Sequence, residues 1–124
     1  MIIDGKQKVY LIKDKTYHCG TSVTMNFIGG KWKCIILWYL RNGTLRFSEL
    51  KKLIPDITEK MLSIQLKALQ KDELILRKVY GNKPPLRTQY SLTKFGESLM
   101  PVVQSITNWG IHLGEIDGEL IEVI

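Results

Sequence analysis

Apolar residues recur every three to four positions through most of this 124-residue chain. The stretch "TEKMLSIQLKALQK", residues 58–71, shows the pattern most clearly. At 100° per residue, Leu62, Leu66 and Leu69 share one side of a helix, while Lys60, Ser63, Ile64, Lys67 and Lys71 share the other. Thr58 is the expected N-cap, and Glu59 places a negative charge in the first turn, where the helix dipole favours it. The leucines call for a protein core. The lysines face either water or something negatively charged.

The same periodicity predicts three earlier helices. "TSVTMNFI" (21–28) is a short one, with Thr21 or Ser22 as cap and Gly29-Gly30 as its end. "KWKCIILWYLRNG" (31–43) is strongly apolar, with Trp32, Ile36 and Leu40 on one face and Gly43 as its stop. "RFSELKKLI" (46–54) aligns Phe47, Leu50 and Ile54 and is closed by Pro55. Residues 1–17 read as an arm with a short hairpin or strand around an Asp4-Gly5 turn. After residue 73 the period changes: 74–80 and 86–92 are strands, and "GNKPP" (81–85) is the loop between them. Helical spacing returns from Thr93 to about Leu113, with Pro101 either kinking that helix or marking its start. Residues 114–124 form an acidic, apolar tail to which the pattern assigns no element.

The expected fold is mainly α with a small antiparallel β-wing. A short Pro-containing turn joins the helices at 46–54 and 58–72, which makes a helix-turn-helix with a two-stranded wing behind it. The 18–113 segment forms the single domain, between the arm at 1–17 and the tail at 114–124.

Composition narrows the function. A chain of this length buries roughly two-thirds of its unfolded surface, enough for one core. No apolar run reaches the roughly 18 residues of a membrane span, and the N-terminus lacks the long apolar stretch of a signal peptide. A cytoplasmic protein with no membrane partner is the expectation. Cys19, Cys34, His18 and His112 are too few and too scattered for a zinc site, so no metal or cofactor is expected. Neither a nucleophile–base pair nor a phosphate-binding glycine loop is present, so the chain does not read as an enzyme.

The net charge of +6 is unevenly spread. Residues 41–94 hold twelve Lys/Arg against five Asp/Glu, whereas residues 95–124 hold none against five. The excess surrounds the helix-turn-helix, which points to a polyanion. A recognition helix occupies the DNA major groove, so Thr58, Lys60, Met61, Ser63, Ile64 and Lys67 are the candidate groove residues. Ser63 can meet base edges, Ile64 a thymine methyl, and the lysines guanine or phosphate. Arg77, Lys78, Lys83 and Arg87 surround the proline-stiffened wing, and Arg46 flanks it; these are the candidate phosphate or minor-groove contacts. The competing reading, a winged helix that binds protein instead of DNA, predicts an apolar or mixed face here.

Several stretches occur in order from about Cys19 to Trp109: "IGGKWKCIILWYLRNGTLRFSEL", "ITEKMLSIQLKALQKDELI" and "PPLRTQYSLTKFGESLMPVV". Together they resemble the HxlR-type winged helix-turn-helix transcription regulators, which are MarR-like. The resemblance implies a homodimer on double-stranded DNA with a pseudo-palindromic operator, controlling genes near its own, more often as a repressor. It implies dimerisation through the helices at 21–28 and 94–113, hence through Val23, Phe27, Leu99, Val102, Val103, Ile106, Trp109 and Leu113. The apolar stripe of the last helix, free of Lys and Arg, is wide enough to agree. A two-fold dimer sets its recognition helices roughly 34 Å apart, one DNA turn. The sequence departs from the family pattern at Gly20, where the family has Pro, and at Glu73, where it has Gly and a left-handed residue is common.

Cys19 precedes the first helix and has Lys13, Lys15 and His18 nearby in sequence. Lysines and a helix N-terminus both favour the reactive thiolate. Regulators resembling this one sense oxidants or electrophiles through a cysteine at this position, so Cys19 is the redox candidate. The alternatives are an unreactive thiol and a regulator answering to a small ligand; the inducer is not legible. Cys34, inside an apolar helix, reads as a small core residue.

Overall fold

The computed structural model describes residues 1–123. The chain opens with two antiparallel hairpins: β1 (Ile2–Ile3) with β2 (Lys6–Gln7), and β3 (Tyr10–Ile12) with β4 (Lys15–Tyr17). Asp4 and Gly5 turn the first with positive φ of 54° and 75°, the twist that suits a two-residue hairpin loop. The second hairpin was not anticipated. Its turn carries no glycine; Lys13 takes the positive φ of 54° instead.

Helix α1 (Gly20–Ile28) is capped by Cys19 and not by Thr21 or Ser22. It starts earlier than predicted, which places both hydroxyls inside the first turn. Helix α2 (Lys33–Leu40) is shorter at both ends than the 31–43 pattern, with Trp32 as N-cap. Its Ile36, Leu37 and Leu40 are buried, while Trp32 is only half-buried. A short strand, β5 (Leu45–Arg46), precedes helix α3 (Phe47–Leu53). Arg46 is therefore strand and cap where helix was expected, and its backbone N–H donates to Glu49 Oε1 at 2.9 Å. Helix α4 (Glu59–Lys71) follows, capped by Thr58 as predicted: the Thr58 hydroxyl accepts from the Met61 N–H at 3.0 Å.

Strands β6 (Ile75–Tyr80) and β7 (Arg87–Leu92) form the wing, and β5 adds to β7 to give a three-stranded antiparallel sheet in the order β5-β7-β6. The predicted long helix is two helices, α5 (Lys94–Ser98) and α6 (Met100–Asp117), meeting at Leu99. Pro101 lies in the first turn of α6 and so marks a start, where its missing N–H costs nothing. Residues 114–117, expected in the tail, belong to α6.

The core gathers the inward leucines Leu62, Leu66 and Leu69 of α4, the apolar face of α2, Leu50, Leu74 and Val103. Val103 is fully buried in this core. It stabilises the subunit itself and is not available to the interface assigned to it from sequence. Leu99 is half-buried and packs against the same core.

The end of α4 is a close-packed joint. Glu73 adopts the left-handed conformation, φ 61°, despite its side chain. The Glu73 N–H donates to the Gln70 carbonyl and the Leu74 N–H to the Leu69 carbonyl, both at 3.0 Å. This bond pair, with Leu69 and Leu74 both buried, is a Schellman ending. The helix thus keeps the left-handed ending usual for Gly although Glu stands there, because packing of Leu74 outweighs a left-handed cost of roughly 1–2 kcal/mol. Thr93 completes the joint. Its hydroxyl donates to the Glu73 carbonyl at 2.6 Å, with the Leu74 carbonyl at 3.2 Å, and accepts from the Gly96 N–H at 2.9 Å. A Cβ on Gly96 would collide with the Leu74 carbonyl oxygen. The T-x-x-G spacing therefore follows from one close crossing between α5 and the α4–β6 turn.

Candidate nucleic-acid interface

With its leucines buried, α4 presents Lys60, Ile64 and Lys67 to the exterior. Ser63 is half-buried at the margin of that face. Ser63, Lys67, Gln70, Arg77 and Tyr90 line one open depression of about 390 Å³ between α4 and the wing. The recognition helix and Arg77 thus share one continuous polar surface. Gln70 was missed from sequence. It lies three residues beyond Lys67, on the same side of the wheel, and that spacing is the signal for it.

Two predicted groove residues stand elsewhere. Met61 is half-buried against the core, and its sulfur lies 3.4 Å from Gln65 Nε2. At the edge of the leucine stripe, an unbranched thioether follows the apolar side. Thr58 is exposed, but its hydroxyl is engaged in the cap.

Strand alternation divides the basic wing. Register pairs Arg77 with Tyr90, Lys78 with Gln89 and Tyr80 with Arg87. Successive side chains point to opposite faces, so Arg77 joins α4 while Lys78 and Arg87 take the other face. Arg46, paired with Gln89 across β5 and β7, takes that other face too. Lys83 lies in the exposed loop between the strands.

Helix α6 exposes Val102, Ile106, Trp109, Leu113 and Ile116 along one side, with Trp109 at 67% of its full exposure. Val23 on α1 is half-buried. Phe27, also half-buried, packs on the core and meets Phe95 edge-to-face, ring centroids 5.5 Å apart.

The two cysteines differ in kind. Cys19 is half-buried at the α1 N-terminus, its sulfur 3.7 Å from the Ser22 hydroxyl oxygen. The Ser22 backbone N–H, the Ser22 hydroxyl and the corresponding groups of Thr21 hold its thiol below the ordinary value, against a smaller opposing effect of burial. The helix N-terminus is the cause, then, and not the lysines invoked from sequence; Lys15 Nζ instead donates to Asn26 Oδ1 at 2.9 Å. Cys34 packs against the core, and burial pushes its thiol up. Among the described residues no cluster of three or more His, Cys, Asp or Glu gathers to hold a metal. No helix among them is long and apolar enough to cross a membrane.

Comparison with known proteins agrees with this geometry. The HxlR-like helix-turn-helix family matches residues 27–117. The uncharacterized HTH-type transcriptional regulator YkvN of Bacillus subtilis is 46% identical over 101 residues, which span 82% of this chain and 85% of YkvN. Among solved structures, the redox regulator HypR in its reduced form superposes with a TM-score of 0.74 at 37% identity, covering 79% of this chain and 96% of HypR. The reduced transcriptional regulator YodB of B. subtilis superposes with a TM-score of 0.64 at 30% identity, covering 80% of this chain and 94% of YodB. A winged helix-turn-helix with a basic recognition face, carried by a chain this close to regulators of transcription, identifies a DNA-binding transcription regulator, and the chain belongs to the HxlR-like helix-turn-helix family.

Proposed function

We propose that this regulator acts as a homodimeric repressor on a pseudo-palindromic operator and that modification of Cys19 alters its grip on DNA. The surface shared by Lys67, Gln70 and Arg77 carries the reading. Lys60, Ser63, Ile64 and Lys67 enter the major groove, where a serine and two lysines reach base edges or phosphate and Ile64 meets a thymine methyl. Arg77 extends that contact along the backbone. Lys83 reaches the flanking groove from the loop, and Lys78, Arg87 and Arg46 serve phosphates on the far side of the wing. The exposed apolar face of α6 supports a second copy as partner, because a monomer seldom leaves so continuous a patch in water. Val102, Ile106, Trp109 and Leu113 contribute there, with Val23 and Phe27 of α1 at its margin.

The thiol of Cys19 sits where a thiolate is favoured, at the start of a helix assigned to the dimer interface. HypR is a redox regulator, and YodB has been solved after diamide treatment and with quinone bound. By analogy, an adduct or disulfide at Cys19 shifts α1 and with it the spacing of the two recognition helices. In a quinone adduct the sulfur bonds to ring carbon and the proton passes to the ring oxygen. In a disulfide two thiols join, and their two protons and two electrons pass to the oxidant.

A gel shift on the intergenic DNA beside the gene tests this, with reduced and diamide-treated protein compared. The expected result is salt-sensitive, sequence-preferring binding that diamide changes, and a Cys19→Ser variant that binds as reduced protein does and ignores diamide. Iodoacetamide should label Cys19 faster than Cys34, and its rate should persist to lower pH, because a lowered thiol pKa keeps thiolate populated as pH falls. Diamide-indifferent binding would leave the regulator and remove the thiol switch. Equal binding to random DNA would remove the operator at this locus.

A further inference from the structure

The hairpin of β3 and β4 packs on α1 and borders a half-open cavity that the proposed DNA-binding surface does not use. The cavity holds about 470 Å³ and lies between the hairpin, α1, the end of α4 and the start of α5. Small-molecule sites usually fall at roughly 300–1,000 Å³. Its apolar walls are Ile12 and Tyr17 from the hairpin, Phe27 from α1 and Phe95 from α5. Phe27 and Phe95 meet at 78°, an edge-to-face pair that leaves ring surface for a third aromatic group. Family similarity begins at residue 27, so the hairpin side of the cavity lies outside it.

Charge at the rim is mixed but unequal. Lys13, Lys15 and Lys71 stand against Asp72 and Glu73. Lys15 is the most fixed of the cations: it donates to Asn26 Oδ1 at 2.9 Å and lies 5.3 Å from the centre of the Tyr17 ring. That bond uses one of its three N–H groups and leaves two for a ligand. The C-terminus of α4 would ordinarily repel an anion. Here the Leu69, Gln70 and Glu73 carbonyls accept hydrogen bonds from Leu74, Glu73 and Thr93, which blunts that effect.

We propose that this cavity binds a small planar aromatic molecule bearing one anionic group. The ring lies among Tyr17, Phe27 and Phe95, and the anion meets the Lys15 ammonium. Such a ligand touches α1 and the end of the recognition helix at once. The proposal concerns binding to the protein alone and does not depend on the operator or on Cys19.

Isothermal titration of the full chain, without DNA, tests it with naphthoate as probe. Naphthylmethanol and naphthylmethylammonium serve as its neutral and cationic counterparts. Naphthoate should bind tightest of the three. Lys15→Gln should weaken it about fivefold, the scale of an exposed ion pair, and Phe95→Ala about tenfold, the scale of an aromatic pair. Both residues are exposed, and thermal melts of each variant check that the fold is kept. Tighter binding of the ammonium would overturn the charge assignment. Naphthoate binding that neither variant weakens would place the probe elsewhere, for instance on α6, and overturn the site. No heat at millimolar naphthoate would overturn it as well.

Discussion

Helices α4 and α6 each leave one side uncovered, and the two sides could hardly differ more. On α4 the uncovered side is lysine, serine and one isoleucine over buried leucines. On α6 it is Ile106, Trp109, Leu113 and Ile116, on a helix whose sequence carries no lysine or arginine. The first side is stable in water and gains from a polyanion. The second costs free energy in water, at about 25 cal/mol for each Å² of apolar surface left wet. Exposure alone therefore names no partner; the chemistry of what is exposed narrows it, since a basic polar side suits nucleic acid and an apolar side suits protein.

The largest expected effect comes from breaking the contrast at α6. Trp109→Glu puts a charge at the centre of the apolar face and should turn a dimer into a monomer in size-exclusion chromatography with light scattering. Operator affinity should fall by about a hundredfold or more, since two linked half-sites bind far better than one. A dimer that survives this change would relocate the interface.

Next comes α4. Lys67→Gln should lower operator affinity by about tenfold and reduce the salt slope by about two, one phosphate per subunit. Lys78→Gln, on the other face of the wing, should do less. Equal losses from the two would remove the distinction between wing faces. The smallest effect is at the joint between the end of α4 and α5. Glu73→Gly relieves the left-handed strain and should raise stability by about 0.5–1 kcal/mol in urea titration, after the entropy that glycine adds to the unfolded chain.

Legibility followed the length of the pattern. Helix α4 has three buried leucines at helical spacing and a capping threonine, and the wheel found its core side without help. The wing announced itself by a change of period and by Gly81, Pro84 and Pro85 between its strands. Strand β5 escaped because two residues carry no period; it exists through pairing with Tyr90 and Gln89, which lie far along the chain. The break at Leu99 escaped because the apolar stripe runs through it unbroken. Val103 was misassigned because it sits at the margin of a stripe, and a wheel cannot tell a subunit's own core from a partner's.

The Thr93 joint has a consequence for motion. One hydroxyl ties the carbonyls of Glu73 and Leu74 to the first turn of α5, and Leu74 is fully buried beneath it. No compliant linker separates the recognition helix from the helices that follow the wing. A displacement of α5 should therefore reach the end of α4 as rigid rotation, without being absorbed as local bending. In deuterated water the amides of Leu74 and Gly96 should exchange only when the whole domain opens, in step with one another.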